Sequence, residues 1–108
     1  MTPFHIIDPH SLPWQRRADG VYTKELAHNE EQNQYLTLFK IEKGAALKKH
    51  QHPCTEWMYV LEGEYKDDFG TAKTGQLKIN EPHSIHTGAA GDGCLLLVLW
   101  CGRHEDVI

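Results

Sequence analysis

Turn-forming residues interrupt this 108-residue chain at short and regular intervals. Glycine, proline and aspartate recur from the Asp19-Gly20 pair to the GAAGDG segment at 88–93. No amphipathic helical stretch separates these turn signals, and the one helical alternative, residues 23–34, has a polar surface with little to bury. The pattern therefore predicts an all-β domain of roughly seven to nine short strands, arranged as a sandwich, a jelly roll or a small barrel.

Alternating polarity locates the strands along the chain. In the clearest case, residues 34–43, Tyr35, Thr37, Phe39 and Ile41 share one face. The opposite face is also largely apolar, so this strand is expected to lie between layers. Further strands are predicted over the segments 21–26, 46–52, 56–63, 64–70, 75–81 and 94–101, with a hairpin turn at 67–70.

The length and net charge of the chain limit its domain organisation and the partners that it can bind. The length suits a single domain with one core over residues 1–108. The net charge of −4 argues against a nucleic-acid partner, since the only basic clusters are Arg16-Arg17 and Lys48-Lys49. The longest apolar run, at 94–101, is far shorter than the roughly twenty residues of a bilayer helix. The N-terminus lacks a secretory signal pattern, so we expect a cytoplasmic protein that does not enter a membrane.

The three cysteines are Cys54, Cys94 and Cys101. Their odd number and the lack of Cys-x-x-Cys spacing predict reduced thiols rather than a disulfide framework. A redox role for Cys54 is an alternative to inert packing, and packing is the expected role.

The segment HQHPCTE at 50–56 places two histidines and a carboxylate directly before an apolar run. His50 and His52 face the same way in an extended strand, and Glu56 returns to that side across the turn at Pro53. His86, from a distant part of the chain, is a fourth candidate. Such groups are costly to bury alone, and together they suit zinc, ferrous iron, manganese or nickel. The alternative is a pair of surface histidines on an exposed strand.

The remaining histidines are weaker candidates. His83 competes with His86, but two residues three apart face opposite ways in a regular strand, so His83 is expected beside the site or at its rim. The others are expected at the solvated surface: His5, His10, His28 and His104.

At these residues the chain resembles the cupin superfamily. Gly44, His50, His52, Glu56 and Gly63 satisfy every fixed position of its first sequence motif. The resemblance implies a conical β-barrel of the jelly-roll type, open at one end.

The second cupin motif is only partly retained. Gly75 and His86 keep the separation found in the family, while the proline is displaced by one position to Pro82. His83 and Ala90 stand where the family has a glycine and an asparagine. These departures affect the local turn more than the candidate ligand.

Within the superfamily, residues 12–101 are most similar to single-domain cupins related to the C-terminal domain of ChrR-type, zinc-dependent anti-sigma factors. The resemblance implies one divalent metal ion, zinc, iron, manganese or nickel, held by His50, His52, Glu56 and His86. The helical anti-sigma domain has no counterpart in this sequence, so direct binding of a sigma factor is not expected.

Two functions from different classes remain open at this point. The first is a non-haem, metal-dependent enzyme of the dioxygenase kind that acts on a small organic molecule. The second is a non-catalytic zinc-binding cupin that senses a ligand or regulates. A homodimer is expected for a small sheet protein, with the N-terminal arm, residues 1–12, as a candidate for the interface.

Overall fold

Nine antiparallel strands make up most of the described chain, which in this computed structural model runs from residue 3 to residue 101. A short 3-10 turn at Pro9–Ser11 precedes them. In chain order the strands are β1 (Gln15–Ala18), β2 (Val21–Asn29), β3 (Gln34–Ile41), β4 (Ala46–Gln51), β5 (Glu56–Asp67), β6 (Gly70–Lys73), β7 (Leu77–Asn80), β8 (Ile85–Ala89) and β9 (Cys94–Trp100).

The strands form one sheet that curls into the predicted small barrel. Their order is β1-β2-β3-β9-β5-β8-β4, and both β6 and β7 pair with β5. The all-β prediction is therefore confirmed. Residues 23–34, the one helical alternative, belong instead to β2, a turn and the start of β3.

Strand β5 changes partners along its length. Residues 57–63 pair with β9, and the end of the strand pairs with β6 and β8. A register shift between Val60 and Glu62 bends the strand, as a β-bulge does. Gly63 follows with a φ of 75°, and a Cβ there would lie 2.0 Å from the carbonyl oxygen of Gly93. Only glycine fits this close approach, which allows one strand to serve both halves of the barrel.

Side chains in the first half of β5 alternate between the inside and the outside of the barrel. Glu56, Met58 and Val60 are buried inside the barrel, while Trp57 and Tyr59 point outward. Apolar side chains from β3 and β9 complete the core around them, and they include Phe39, Ile41, Leu96, Val98 and Trp100.

Strand β8 passes very close to the second half of β5. A Cβ at Gly88 would lie 1.7 Å from the hydroxyl oxygen of Tyr65, so the phenol ring fills the space beside that glycine. Tyr65 is fully buried, and its hydroxyl has no hydrogen-bond partner within the described residues. Its burial raises the pKa of the phenol and keeps it neutral.

Cys54 and Cys101 form a disulfide bond, with their Cα atoms 6.3 Å apart. The expectation of reduced thiols was wrong for these two residues. The third cysteine, Cys94, is free and buried in the core, which accounts for the odd number. The pairing joins positions 47 residues apart, so cysteine spacing along the sequence gave no sign of it.

None of the helices in the described part of the chain has the length and apolar character needed to cross a bilayer.

Replacing Cys54 and Cys101 together by serine should lower the free energy of unfolding by about 2–4 kcal/mol, because the bond closes a long loop and restricts the unfolded chain. Urea denaturation of the oxidised wild type and the double variant measures this difference. A thiol reductant should lower the free energy of unfolding of the wild type by the same amount and leave that of the variant unchanged. Equal midpoints for the oxidised wild type and the variant would contradict the prediction.

Candidate metal centre

Four polar side chains, from three strands and the turn after β4, meet inside the barrel, and all are buried. His50 in β4 and His86 in β8 are register partners, so their side chains emerge on the same face of the sheet. His52 follows β4, and Glu56 is the first residue of β5. The donor nitrogens of the three histidines all lie within 4.8 Å of one another. The nearest carboxylate oxygen of Glu56 is 3.5 Å from Nδ1 of His52.

Backbone contacts hold His52 in this position although it lies beyond the strand. Its N–H donates to the carbonyl of Ser84 at 3.0 Å, and its carbonyl accepts from the N–H of His83 at 2.6 Å. The segment that leads into β8 therefore holds His52 through two backbone hydrogen bonds. These bonds keep His52 beside His86.

The shortest distance in the cluster joins Nε2 of His52 and Nε2 of His86, at 2.5 Å. In the metal-free protein one neutral ring can donate its Nε2–H to the Nε2 lone pair of the other, so the two nitrogens form a short hydrogen bond. Metal–nitrogen bonds of about 2.0–2.1 Å place neighbouring ligand atoms roughly 3 Å apart. Both rings direct Nε2 to the same point, and a slightly wider separation would let both nitrogens bind a divalent cation there.

Two of the three imidazoles are oriented by contacts of their other ring nitrogen. Nδ1 of His50 lies 2.7 Å from the carbonyl of Lys48, to which it donates, and this leaves Nε2 as a free ligand atom. Nδ1 of His86 lies 3.2 Å from the carboxylate of Asp67, whose side chain is fully buried. Carboxylate–histidine pairs of this kind orient metal ligands and raise their basicity.

Lys78 joins the two acidic groups around the cluster. Its ammonium lies 2.6 Å from the carboxylate of Asp67 and donates a hydrogen bond to Oδ1 of Asn80. Asn80 in turn donates through Nδ2 to Glu56 at 2.7 Å. The result is one polar network that holds both His86 and Glu56 in place.

Three residues of this network were not predicted as site residues from the sequence: Asp67, Lys78 and Asn80. Asp67 was predicted only as part of a hairpin turn, and it does form that turn: Oδ1 accepts from the N–H groups of Phe69 and Gly70 at 2.8 and 3.1 Å. Its second oxygen faces His86. The inward positions of Lys78 and Asn80 follow from alternation in β7, and this was the one available signal.

The imidazoles have lowered pKa values. Burial lowers the pKa of His52 to about 3 and that of His86 to about 4, and the neighbouring imidazoles and Lys78 act in the same direction. Burial also lowers the pKa of His50. The three rings are therefore neutral near pH 7, the state in which imidazole binds a metal.

The two carboxyl groups shift in opposite directions. Burial raises the pKa of Glu56 to about 7, against the opposing effects of Asn80 and Lys78. Burial also acts to raise the pKa of Asp67, but Lys78 and the N–H of Phe69 outweigh it, and the net shift is downward. Asp67 is thus a stable anion, whereas Glu56 needs a nearby cation to ionise fully at neutral pH.

The other histidines lie apart from the cluster. His83 is exposed, with a φ of 68° that turns its side chain to the surface. His5, His10 and His28 are exposed as well, and His104 lies outside the described residues. Cys54 is in the disulfide, so it offers no thiolate to the centre.

Two cavities border the cluster, and they differ greatly in size. The one inside the barrel, which His50, Glu56, Met58 and Trp100 help to line, measures only about 10 Å³, room for about one water molecule. An open cleft of about 700 Å³ lies between β6, β7 and the segment leading into β8. Its lining includes Phe69, Thr71, Lys78, Asn80, Ser84 and His86.

Acidification from pH 6.5 to about pH 4 should destabilise the metal-free protein. Unfolded histidines gain protons near pH 6.5, whereas His52 and His86 stay neutral in the folded state until pH 4 or below. In this pH range the unfolded state therefore binds more protons than the folded state. His52 and His86 each lower the free energy of unfolding by about 1.4 kcal/mol for every pH unit of acidification. Glu56, with its raised pKa, acts in the opposite sense between pH 7 and 4.5, but the imidazoles outnumber it.

Urea denaturation with a chelator present, repeated across this pH range, measures how the free energy of unfolding changes with pH. This change per pH unit is the slope. A His86→Gln variant should have a shallower slope than the wild type. A wild-type stability that rises on acidification would show that Glu56 dominates and would contradict the prediction.

Comparison with known proteins places the chain among cupins. Residues 2–100 match the family described as the ChrR Cupin-like domain. No curated protein has a significant sequence match. One similar structure is the Rhodobacter sphaeroides complex of SigE with the anti-sigma ChrR, with 25% identity and a TM-score of 0.75. The match covers 82% of this chain and 49% of that chain, so this chain spans about half the length of that relative.

Two other solved structures share the fold at lower identity. An RmlC-like cupin from Shewanella frigidimarina has 21% identity and a TM-score of 0.80, with 95% of each chain covered. A putative acetylacetone dioxygenase from Methylibium petroleiphilum has 12% identity and a TM-score of 0.85, with 100% of this chain and 90% of that chain covered. Since the family match extends over nearly the whole sequence and the barrel is a cupin barrel, this protein belongs to the ChrR cupin-like domain family.

Proposed function

We propose that His50, His52, Glu56 and His86 bind one divalent metal ion. The observation that carries this proposal is the burial of three neutral imidazoles whose donor atoms lie within 4.8 Å of one another. The raised pKa of Glu56 supports it, because a cation beside that carboxyl would offset the cost of its ionisation. Imidazole and carboxylate donors together suit zinc, ferrous iron, manganese or nickel.

The function that we infer is that of a metal-dependent enzyme of the dioxygenase kind, acting on a small organic molecule. When bound, a redox-active ion with open coordination positions supplies Lewis acidity and the activation of dioxygen. The fold is shared with the acetylacetone dioxygenase of Acinetobacter johnsonii, at 12% identity and a TM-score of 0.80. This likeness supports a barrel fold that is compatible with dioxygenase activity. The buried histidine cluster supports the metal-dependent chemistry.

The cleft is the proposed site for the organic molecule. Its volume of about 700 Å³ is in the range of small-molecule sites, and His86 lies in its wall. Lys78 and Asn80 each have a further N–H that would orient a polar group of the substrate, while Phe69 offers an apolar surface. The cavity inside the barrel is too small for any substrate, so approach from the cleft is the favoured route.

A non-catalytic, zinc-binding regulatory cupin is the second candidate. Two observations favour it: the filled barrel interior and the family match to the ChrR cupin-like domain. In this case all four residues would enclose zinc and leave no exchangeable position. The identity of the bound metal and its free coordination positions therefore distinguish the two candidates.

Purified wild-type protein should contain about one divalent metal ion per chain, and His50→Ala and Glu56→Ala should each lose it, because each variant removes a ligand. Elemental analysis measures the content. His83→Ala is the matched control, since His83 is a nearby exposed histidine, and it should retain the wild-type content. Full metal content in both ligand variants would refute the site.

The metal found in the wild type then separates the candidates. Iron, together with oxygen uptake in the presence of small diketones, supports the enzyme. Zinc, with no oxygen uptake after reconstitution with ferrous iron, supports the regulatory module.

Asp67→Asn should raise the dissociation constant for the metal by about 10–100-fold, because His86 would lose its anionic partner. Asparagine retains an oxygen for the N–H groups of Phe69 and Gly70, so the hairpin turn should survive. Competition with a chromophoric chelator measures the affinity. Asp68→Asn, the neighbouring exposed carboxylate, should have the affinity of the wild type, and an unchanged affinity in Asp67→Asn would rule out the orienting role.

A further inference from the structure

The cavity inside the barrel lies between the candidate metal centre and the apolar core. Most of its wall is apolar and comes from six buried residues: Phe39, Leu47, Met58, Leu96, Val98 and Trp100. The other lining residues are His50, Glu56 and Tyr65. Two of the candidate metal ligands therefore share this space of about 10 Å³ with one further polar side chain.

The hydroxyl of Tyr65 lies inside the barrel, close to the histidine cluster. Its oxygen is 1.7 Å from the position that a Cβ at Gly88 would occupy. Gly88 and His86 are two residues apart in β8 and both are buried, so they face the same side of the sheet, the inside of the barrel. The hydroxyl is therefore one inward-facing position away from a candidate metal ligand.

This hydroxyl is a buried donor that no described residue binds. Tyr65 is fully buried, and its oxygen has no hydrogen-bond partner within residues 3–101. Burial raises the pKa of the phenol, and the carboxyl groups of Glu56 and Asp67 raise it further. The hydroxyl therefore keeps its proton and can donate it. Buried polar groups of this kind nearly always have a partner, which is often an ordered water molecule.

The other two polar residues of the cavity each have one atom engaged by the protein. Nδ1 of His50 donates to the carbonyl of Lys48, and Oε1 of Glu56 accepts from Asn80. This leaves Nε2 of His50 and Oε2 of Glu56 as the atoms that would bind the ion. An ion held by these two residues borders the cavity, because both residues line it.

We propose that the cavity holds one water molecule that is a ligand of the metal ion, and that the hydroxyl of Tyr65 donates a hydrogen bond to its oxygen. This inference rests on the metal site of the proposed function. Tyr65 is then a positioning residue, since it binds the ligand of the ion and not the ion itself. The space of about 10 Å³ admits one water molecule and excludes an organic molecule.

The proposed hydrogen bond favours an anion in the cavity. A donor stabilises hydroxide more than water, because hydrogen bonds to a charged acceptor are the stronger ones. The apolar wall increases this preference, since no other water competes for the donor there. Tyr65 should therefore lower the pKa of the metal-bound water and strengthen the binding of a small anion in its place.

Fluoride binding to the cobalt(II)-loaded protein tests the proposal. Fluoride is a single-atom anion that fits the volume of a water molecule and accepts hydrogen bonds, and the visible absorption of cobalt reports its binding. Tyr65→Phe should raise the dissociation constant for fluoride about 10–100-fold, because a hydrogen bond to a charged group is lost. Tyr59→Phe is the matched control, since Tyr59 lies in the same strand and points outward, and it should bind fluoride as the wild type does.

A pH titration of the same absorption bands gives a second measure of the hydrogen bond. Without the donor, hydroxide is less stable relative to water. The pKa of the bound water should therefore rise by at least about one unit in Tyr65→Phe and stay unchanged in Tyr59→Phe.

Metal analysis of the same samples separates this inference from the proposed function. The wild type and Tyr65→Phe should each bind one cobalt ion with equal affinity, because phenylalanine removes no ligand. A wild type that binds no cobalt refutes the metal site, and the inference with it. A loaded wild type that binds no fluoride, or a loaded Tyr65→Phe variant with the fluoride affinity and the water pKa of the wild type, overturns the role of Tyr65 alone. A Tyr65→Phe variant that loses cobalt would show a structural role and also overturns it.

Discussion

Burial of three imidazoles and a carboxylate inside a small barrel is the constraint on which the rest of this structure depends. Each group loses hydration, and the lowered histidine pKa values and the raised pKa of Glu56 both express that loss. The surrounding polar groups reduce the cost without removing it. Lys78 neutralises Asp67, Asn80 satisfies one oxygen of Glu56, and the backbone of Lys48 accepts from His50. A divalent cation would complete this compensation.

Strand β5 connects this constraint to the fold. Its twelve residues begin with Glu56, continue with the apolar wall of the barrel, bend at Gly63 and end with Asp67. A candidate ligand and the carboxylate that orients another candidate ligand therefore lie at opposite ends of one continuous strand. The bend is what brings them to the same centre, since a straight strand of this length would separate its ends by roughly 35 Å.

Much of the fold and part of the site could be predicted from the sequence. Strand alternation placed Thr37, Phe39 and Ile41 on one face of β3, where all three are buried, because a period of two is a local property of the chain. The grouping of His50, His52 and His86 came from short-range spacing together with a family resemblance.

The features that could not be predicted from the sequence depend on contacts between distant parts of the chain. Asp67 looked like a turn residue because one of its oxygens serves the turn, while the other faces His86 across the sheet. The disulfide between Cys54 and Cys101 depends on proximity that only the folded sheet creates. Neither feature has a periodic signal, so local patterns could not identify it.

The close packing of Tyr65 against Gly88 has an evolutionary consequence. The phenol occupies the volume that even a methyl group at position 88 would need, and Gly88 lies two residues after His86 in β8. Positions 65 and 88 are therefore coupled. A relative with a residue larger than glycine at position 88 would need a residue smaller than tyrosine at position 65. Sequence divergence in this family should conserve their combined volume rather than either residue separately.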